Sequence, residues 1–472
     1  MTSEIIKQLD YIFKPRSIAV IGASNTPGKW GNRMMVNPLT TGFRGPIYPV
    51  NPTEKEVCGI PAYAKVKDIP GDVDMAVMVT PAQTVPQAMR DCVAKGIKGM
   101  VMITAGFAET GAVGKALQEE VVRIAQTGGM RFVGPNGMGI YTSAVNLSLS
   151  FDTAPRKGKI AFISQSGTFG GMLATMANNK GYGLSKFVSI GNQADLKAAD
   201  YLEYFAHDPD TGAIVFYMEG FKDGRRFFEI AREVVKSKPI IIYKSGRTEA
   251  ATRATMSHTS SIAGSDKVFE AMCKQVGIIR SYETVQIFDM AEALVSMPLP
   301  HGNRIAIIGS GGQGVTISDN CELLGLKVPE FDEATKIELK KSLPPHAPVP
   351  SNPVDFAGGT RTSDDEAKMA DALAQIPYID GIITNMPVYR GWGGNAAAAR
   401  ASIDGAEIVA AIPKKYGKPV VTLRWRATNG DIAQDIVRAA RIPAYDTPEQ
   451  AARAMYALVE YARIRRVLTT ED

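Results

Sequence analysis

The chain has 472 residues, of which 45% are hydrophobic and 21% are charged. At about 100 to 200 residues per domain, this length predicts roughly three domains, and the composition excludes both a single small module and a disordered chain. Lys and Arg together number 53 and Asp and Glu 48, which leaves a formal net charge of +5. So small an excess of positive charge over so long a chain does not favour a nucleic-acid-binding surface.

The first predicted strand, residues 17–21, runs into a glycine-rich turn and then a helix. Further strands are predicted at residues 46–50, 75–79, 99–103 and 131–133. Helical stretches such as residues 84–95 and 114–127 lie between most of them. Strands separated by helix-length segments predict a parallel, doubly wound sheet.

A second strand-turn-helix unit begins at residues 159–167, and a third, which resembles it, begins at residues 304–312. Stretches rich in proline, glycine and polar residues, 152–158 and 297–303, separate the units, and the chain closes with a helix from 447 to about 466. We therefore predict an α/β protein of three domains, which cover residues 1–150, 156–298 and 302–472.

The cysteines Cys58, Cys92, Cys273 and Cys321 are far apart and form no Cys-x-x-Cys pair, so we expect a reduced intracellular protein. Residues 1–17 are not typical of a signal peptide or an anchor. No apolar run approaches the roughly 20 residues that a membrane-spanning helix needs. These features predict a soluble cytoplasmic protein without membrane contact.

The turn after the first strand, residues 22–28, places small residues and backbone N–H groups at the start of a helix, where they can meet a phosphate. Taken alone, this pattern is equally typical of a structural turn. The next strand ends at Asn51, where nicotinamide-binding folds commonly have Asp or Glu for the ribose hydroxyls. The missing acid is compatible with a nucleotide that carries a ribose 3′-phosphate, as coenzyme A does.

A similar turn, Ser164-Gln165-Ser166-Gly167-Thr168, opens the second unit. A buried strand there delivers hydroxyl and N–H groups to the start of a helix, which predicts a site for inorganic phosphate. The structural alternative is an ordinary serine at the N-cap of the helix.

Two side chains are candidates for chemistry at these sites. His258 lies in a small polar loop that could carry an imidazole into and out of a site. Glu219 ends an apolar strand at the carboxyl edge of the sheet, where it could orient one imidazole nitrogen and leave the other nucleophilic. An ordinary loop histidine and a solvated turn acid are the alternatives.

Eight short motifs occur in order along nearly the whole chain: Gly22-Ala23-Ser24, Pro49-Val50-Asn51-Pro52, Gly134-Pro135-Asn136, Ser164-Gln165-Ser166-Gly167, Gly191-Asn192-Gln193-Ala194-Asp195, Glu219-Gly220, Ser257-His258-Thr259 with Ala263-Gly264, and Asn352-Pro353-Val354-Asp355. The ordered set resembles the α subunit of the NDP-forming acyl-CoA synthetases (ADP-forming acetyl-CoA synthetase type), relatives of succinyl-CoA ligase. The resemblance implies a Rossmann-like CoA-binding domain followed by two flavodoxin-like, succinyl-CoA-ligase-type domains.

In that family, phosphate attacks the acyl thioester to give an acyl phosphate and free CoA, and a histidine then passes the phosphoryl group to ADP or GDP. By this resemblance His258 is the phosphorylated nucleophile and Glu219 the carboxylate that orients it. Phosphate would be bound by Ser166, Gly167 and Thr168. The implied CoA contacts are Gly22, Ala23, Ser24, Asn25, Thr26, Asn51, Val79, Thr80, Pro81, Ile103, Thr104 and Ala105.

Two positions bear on the acyl group. Related enzymes often have cysteine after Asn136, but this chain has Gly137, which excludes thiol chemistry at that position. Gly171 aligns with a tyrosine of the succinyl-CoA ligases, so we expect a more open acyl pocket beside Asn136 and Gly171. Such a pocket favours a larger or less charged acid than succinate.

The family also needs an ATP-grasp unit, and no segment of this chain is left over to form one. The resemblance therefore implies a separate ATP-grasp β subunit that holds ATP or ADP with Mg, in an α2β2 complex, and no metal ligand on this chain. Two alternatives remain: a non-catalytic CoA-binding sensor or scaffold, against which intact His258, Glu219 and Ser166 argue, and an NAD-dependent oxidoreductase, which Asn51 disfavours.

Overall fold

The computed structural model describes residues 4–253, 265–357, 360, 362, 364–386, 396–424 and 432–470. These residues form an α/β protein with three main sheets. The chain divides into two compact units, Met1–Ile287 and Phe288–Asp472. The loop that contains His258 lies outside the described residues.

The first unit begins with a parallel sheet of strand order β2-β1-β5-β6-β7. The chain leaves β1 for β2 on one side and returns as β5 on the other, so the switch point lies between the carboxyl ends of β1 and β5. All four residues of β1 are buried, as expected for a strand covered on both faces. The elements of this part are α1 (Glu4–Phe13), β1 (Ile18–Ile21), α2 (Trp30–Thr41), β2 (Ile47–Val50), the small antiparallel pair β3 (Glu56–Val57) and β4 (Ile60–Pro61), β5 (Met75–Met78), α3 (Val85–Ala94), β6 (Gly99–Met102), α4 (Ala112–Thr127) and β7 (Arg131–Val133).

The second sheet of this unit has the order β14-β13-β12-β10-β11-β8-β9. Here the chain passes from β10 to β11 and returns to the other side as β12, which places a second switch point between the carboxyl ends of β10 and β12. The elements are β8 (Ile140–Thr142), β9 (Leu147–Ser148), β10 (Lys157–Ser164), α5 (Gly167–Asn179), β11 (Leu184–Ser189), α6 (Ala198–His207), β12 (Ala213–Met218), α7 (Gly224–Val234), β13 (Ile240–Lys244), α8 (Asp266–Val276) and β14 (Ile279–Ser281).

The edge of this second sheet contains antiparallel strands that the sequence analysis did not predict. β8 pairs antiparallel with β11, and β9 pairs antiparallel with β8. In addition, β10 already begins at Lys157, inside the stretch predicted as a linker. Strands of two or three residues carry too little alternation to be recognised from sequence, and pairing with the edge of β11 is what defines them.

The two sheets of the first unit are joined by specific contacts. Phe13 of α1 stacks on Tyr204 of α6 with ring centroids 5.1 Å apart. The Asp195 carboxylate, in the loop after β11, accepts hydrogen bonds from Arg131 Nε and from the backbone N–H of Phe132, both at 2.9 Å. Because Arg131 and Phe132 belong to β7, this carboxylate ties the second sheet to the first.

The second unit contains a parallel sheet of order β15-β16-β17-β18. The Asn352 side chain extends this sheet, because its Oδ1 accepts from Ile307 N–H and its Nδ2 donates to Ile305 O, both at 3.0 Å. The elements are α9 (Gln286–Ser296), β15 (Ile305–Ile307), α10 (Gly312–Leu323), α11 (Glu333–Lys340), α12 (Asp365–Gln375), β16 (Gly381–Asn385), α13 (Ala396–Tyr416), β17 (Val420–Leu423), α14 (Ile432–Ala439), β18 (Ala444–Tyr445) and α15 (Pro448–Thr470). The last helix runs past its predicted end near residue 466, since no glycine or proline follows to stop it.

In the described ranges, no helix is both long enough and apolar enough to cross a bilayer. All four cysteines are free thiols.

A buried ion pair joins Lys186 of β11 to Asp208, the residue after α6. Lys186 Nζ is 2.7 Å from Asp208 Oδ2, and these two side chains are 0% and 1% exposed. Thr211 Oγ1 also donates to Asp208 Oδ2 at 2.7 Å. Burial by itself would raise the pKa of Asp208, but the hydrogen bonds from Lys186 and Thr211 outweigh it and hold the pKa below its ordinary value.

We expect Asp208→Asn to lower the free energy of unfolding by about 3–5 kcal/mol at neutral pH, because it leaves the Lys186 ammonium buried without its counter-charge. Since the folded-state pKa of Asp208 is depressed, the contribution of the pair is complete at neutral pH and is lost as the pH falls through that pKa. The free energies of unfolding of wild type and Asp208→Asn, measured with urea, should therefore become equal in acid. Asp210→Asn is the matched control, since Asp210 is 52% exposed and 3.8 Å from Lys186 Nζ, and equal losses in both variants would contradict the prediction.

Candidate active site

A cleft of about 600 Å³ opens in the first unit. Segments that follow strands of both sheets line it, which is where open α/β folds hold their ligands. The lining residues are Trp30, Val79, Thr80, Pro81, Ile103, Thr104, Ala105, Asn136, Gly137, Met138, Gln165, Ser166, Gly167, Thr168, Gly191 and Asn192.

The N-terminus of α5 forms one wall of the cleft. Ser166 is the N-cap residue of α5, but its side chain makes no capping hydrogen bond. The hydroxyl is therefore not consumed by the helix, in contrast to the capping alternative considered from the sequence. The first-turn N–H groups of an α-helix have no intrahelical acceptor, so Ser166, Gly167 and Thr168 together present donors to an anion in the cleft.

Gln165 bridges the switch point of the second sheet. Its Oε1 accepts hydrogen bonds from the backbone N–H groups of both Glu219 and Gly220, each at 3.0 Å. The backbone N–H of Gln165 donates to Tyr217 O at 2.9 Å. These bonds fix the backbone of Glu219, whose side chain is buried at the carboxyl end of β12. Gln165 therefore couples the α5 wall of the cleft to the predicted orienting carboxylate.

The segment after β7 approaches the second sheet so closely that side chains do not fit. A Cβ on Gly137 would lie 2.7 Å from Ser189 O, and a Cβ on Gly191 would lie 2.2 Å from Pro135 O. Gly191 also has a φ of +51°. Glycine at both positions is thus required by the close packing of the two segments. The same contact leaves no room for a cysteine side chain at position 137.

Asn192, which lines the cleft, binds three side chains from the region of the first sheet. Its Nδ2 donates to Glu109 Oε2 at 2.5 Å and to Gln118 Oε1 at 3.0 Å, and its Oδ1 accepts from Asn136 Nδ2 at 3.3 Å. Burial by itself would raise the pKa of Glu109, but the Asn192 amide and the backbone N–H groups of Gly106 and Phe107 outweigh it and lower the pKa. Glu109 is thus an ionised anchor for the Asn192 side chain.

The turn after β1 is held by side-chain amides. Asn51 Nδ2 donates to Ala23 O at 2.8 Å, and Asn32 Nδ2 donates to Ser24 O at 3.2 Å. Asn25 Nδ2 donates to Glu56 O at 2.8 Å. The side chains of Asn25 and Asn51 therefore stabilise the conformation of the turn. Two of its backbone N–H groups are also bonded internally, that of Gly22 to Val50 O at 3.0 Å and that of Thr26 to Ser24 Oγ at 3.1 Å.

Ten of the site residues predicted from the sequence line the cleft. Lining it are Val79, Thr80, Pro81, Ile103, Thr104, Ala105, Asn136, Ser166, Gly167 and Thr168. Gly22, Ala23, Ser24, Asn25, Thr26, Asn51, Gly171 and Glu219 are not among the lining residues, and His258 lies outside the described residues. Among the residues that do not line the cleft, Gly22 is close to it: a Cβ on Gly22 would lie 3.0 Å from Cγ2 of Thr80, a lining residue, so the turn adjoins the cleft.

Some lining residues were not predicted: Trp30, Met138, Gln165, Gly191 and Asn192. Three of them lie in motifs noted from the sequence but given no role there. Recognising β11 as a strand would have placed Gly191 and Asn192 at its carboxyl end, where ligands bind. In the part of the chain that the structure describes, no group of three or more His, Cys, Asp or Glu side chains could hold a metal ion.

Comparison with known proteins agrees with this layout. The family model described as "CoA binding domain" matches residues 16–143, and the model described as "Succinyl-CoA ligase like flavodoxin domain" matches residues 157–294. The chain is 43% identical to the acetate–CoA ligase [ADP-forming] II subunit alpha of Pyrococcus furiosus over 459 residues, which cover 96% of this chain and 98% of the relative. The chain therefore belongs to the family of ADP-forming acetate–CoA ligase α subunits.

Other members of this ligase family show the same match. The acetate–CoA ligase [ADP-forming] of Methanocaldococcus jannaschii is 37% identical over 97% of this chain, which spans 64% of that longer protein. A solved structure of the dinucleotide-forming acetyl-coenzyme A synthetase 1 of Ca. Korarchaeum cryptofilum, in complex with phosphate and ADP, has a TM-score of 0.86 at 36% identity over 98% of both chains. The predicted family and fold class are confirmed, and neither the sensor nor the oxidoreductase alternative receives support.

We expect Gln165→Met to remove the shared acceptor of two buried N–H groups, at a cost of about 1–3 kcal/mol for each unsatisfied group. Urea unfolding should show the loss of stability, and hydrogen exchange should be faster at the amides of Glu219 and Gly220. Gln87→Met, on the exposed face of α3, is the matched control and should change stability by less than about 0.5 kcal/mol. Wild-type exchange at Gly220 in Gln165→Met would show that the side chain does not hold this turn.

Proposed function

We propose that this chain is the α subunit of an ADP-forming acyl-CoA ligase, which interconverts a carboxylic acid, CoA and ATP with acyl-CoA, ADP and phosphate. The observation that carries the proposal is the composition of the cleft. Its lining combines strand ends from the part matched by the CoA-binding model with the start of α5 from the part matched by the succinyl-CoA-ligase-like model. A thioester bound along the strand ends of the first sheet and a phosphate bound at the start of α5 would meet in one cleft.

CoA is proposed to bind along the first sheet. The backbone of Gly22, Ala23, Ser24, Asn25 and Thr26 would receive the pyrophosphate, with Asn51 holding the turn. Support comes from the adjoining segments that line the cleft, Val79, Thr80 and Pro81 after β5 and Ile103, Thr104 and Ala105 after β6. These uncharged residues suit the amide-rich pantetheine arm, which would carry the thioester toward α5.

Phosphate is proposed to bind to Ser166, Gly167 and Thr168, where the positive end of the α5 dipole offsets its charge. One phosphate oxygen attacks the carbonyl carbon of the thioester, the carbon–sulfur bond breaks, and the CoA thiolate leaves and takes up a proton. The products of this step are acyl phosphate and CoA. Binding of both reactants in one cleft would make the attack effectively intramolecular.

His258 is proposed to take the phosphoryl group next. A ring nitrogen attacks phosphorus, the bond to the acyl oxygen breaks, and the carboxylic acid leaves as its carboxylate; the phosphoryl group then passes to a β-phosphate oxygen of ADP. Glu219 would hold the other ring nitrogen and stabilise the positive imidazole. Supporting this role, Glu219 is buried at the switch point and its backbone is fixed by Gln165.

The nucleotide is proposed to bind, with Mg, on an ATP-grasp β subunit in an α2β2 complex. Two relatives from Pyrococcus furiosus are themselves named as α subunits. The longer Methanocaldococcus jannaschii relative, of which this chain spans 64%, is compatible with the same parts joined in one protein.

Three domains with the limits 1–150, 156–298 and 302–472 are likewise proposed. The three sheets support their number, whereas β8 and β9, which lie within 1–150, pair with the second sheet. The acid is proposed to be less charged or larger than succinate, with Asn136 and Gly171 beside its acyl part. The nearest atom to a Cβ added on Gly171 would be Met138 Cε, at 4.0 Å. This space supports an open acyl end.

Isothermal titration calorimetry on the chain alone tests the division of ligands. CoA should bind with a dissociation constant on the order of micromolar, and ATP should not bind tightly. Gly22→Val should abolish CoA binding, because Gly22 has a φ of +92° and an added side chain meets Thr80. Gly224→Val, at an open position in α7, is the control. Micromolar ATP binding without any response to CoA would overturn the assignment.

A phosphorylation assay tests the carrier. With a candidate β subunit and γ-labelled ATP, the chain should acquire a label that is lost in acid and survives alkali, and His258→Ala should abolish it. Glu219→Gln should retain the fold and slow labelling on the order of 100-fold, because an amide does not stabilise a positive imidazole. His207→Ala, at an exposed position, should label normally; full turnover by His258→Ala would rule out the proposed carrier.

A further inference from the structure

One cluster of side chains lies at both ends of the segment that carries His258. The described chain reaches Arg253 after β13 and resumes at Ser265 before α8, so residues 254–264 connect these two points. The cluster is built on Tyr282, the residue that follows β14. The proposed reaction assigns the cluster no role, although each end of the segment is bound to it.

The first end is anchored through Arg247. Gly246, with a φ of +73°, provides the turn after β13. Arg247 Cζ lies 5.5 Å from the centroid of the Tyr243 ring and 5.3 Å from that of the Tyr282 ring, and its Nη2 donates to Tyr282 O at 3.2 Å. Thr252 Oγ1 donates to Gly246 O at 3.2 Å. The chain is therefore held by specific contacts from the end of β13 to the start of the segment.

The second end is anchored through Arg280. This residue lies in β14, and its side chain is only 5% exposed. The guanidinium binds the carboxylates of Asp266 and Glu270, both in α8. Its Cζ lies 4.7 Å from the centroid of the Tyr282 ring, and the Tyr282 hydroxyl donates to Glu270 Oε2 at 2.8 Å. The start of α8 is thus bound to the same tyrosine as the first end.

The cluster is also tied to the strand that ends beside Glu219. The Ser245 N–H donates to Met218 O at 2.9 Å, and Met218 directly precedes Glu219. Tyr243 stacks on Tyr217 with ring centroids 5.6 Å apart. Contacts therefore run from the cluster to the strand that supplies the carboxylate proposed to orient the imidazole.

The Tyr282 ring links the two anchors. It is 46% exposed, so the hydrophobic core does not depend on it. Each cation–π contact at an exposed site is weak, but this ring makes two of them. Arginine suits the arrangement, because its planar group stacks on a ring while its N–H groups still bind carboxylate or carbonyl oxygens. Removing the ring would release both guanidinium groups from one another.

We propose that Tyr282, together with Arg247 and Arg280, forms a clamp that positions His258 for phosphoryl transfer. This inference rests on the proposed ligase function. Fixing both ends of a chain segment restricts the volume that a residue between them can reach, and so raises the effective concentration of that residue at a nearby site. The three clamp residues touch no reacting atom; they are positioning residues that act through the imidazole.

A distance measurement on the full chain tests the clamp itself. Spin labels on Glu249→Cys and Val268→Cys, two exposed positions on either side of the segment, report the distance between its ends. The background is Cys58→Ser, because the other three cysteines are buried. Double electron–electron resonance should give a narrow distance distribution, which Tyr282→Ala should broaden. Tyr11→Ala, in α1, removes a tyrosine of similar exposure, 37%, and should leave the distribution unchanged.

Single-turnover phosphorylation measures the consequence for the reaction. With a candidate β subunit and γ-labelled ATP, Tyr282→Ala should slow the appearance of acid-labile label about 10-fold, while the ATP concentration for half-maximal rate and the affinity for CoA stay within about 2-fold. Arg247→Ala should have a similar effect. The double variant should be no slower than the slower single variant, because both substitutions remove one contact. Tyr282→Phe keeps the ring and should retain most of the rate.

Every other outcome counts against the clamp. An unchanged distance distribution in Tyr282→Ala would show that the ring does not hold the two ends. A wild-type labelling rate in a variant with a broadened distribution would show that the ends do not position the histidine. Parallel losses of labelling rate and CoA affinity would show a merely structural role. Wild type that acquires no acid-labile label would overturn the proposed function and this inference with it, and it is recognised because the failure does not depend on any substitution.

Discussion

The cleft depends on one constraint: the loop after β11 has to join the two sheets of the first unit at a fixed distance. Asp195 binds Arg131 and Phe132 of β7, and Asn192, three residues earlier, binds Glu109 and Asn136. Each of these contacts crosses from one sheet to the other. Because their partners are buried or half-buried, the bonds act in a medium of low dielectric constant, where a lost partner is expensive. The carboxyl edges of the two sheets thus border one cleft.

This arrangement brings together two potential ligand sites, one at the switch point of each sheet in the first unit. A switch point between parallel strands is a natural ligand site, and here the two switch points hold the turn proposed to bind a pyrophosphate and the helix N-terminus proposed to bind phosphate. Both are prepared before ligand binding, the first by the Asn51 and Asn32 amides and the second by the Gln165 bridge to Glu219. Such preorganisation reduces the entropy that a ligand loses on binding.

The sequence predicts those features that have strong local signals. The buried apolar run of β1 and the glycine turn after it were recognisable, as were β10 and the small residues that begin α5. The roles of Gln165 and Asn192 were not, because each acts through a partner more than fifty residues away and an amide in a loop has no characteristic spacing. Trp30 was missed for a different reason: an isolated aromatic residue at a helix start is usually packing, and only the geometry of the cleft distinguishes it.

The close contact at Gly137 has a chemical consequence for the cleft. With glycine there, the described residues that line the cleft include no thiol. Burial raises the pKa values of the Cys92, Cys273 and Cys321 thiols, which makes them unreactive. The remaining thiol, Cys58, is half-buried beside the turn after β1, where Asn32 Nδ2 approaches its sulfur. A thiol-specific reagent therefore finds no target among the described lining residues, whereas the Met138 thioether there is open to oxidation to the sulfoxide. Of the four thiols, Cys58 is the least buried, so a thiol reagent would act first on the turn after β1 and not inside the cleft.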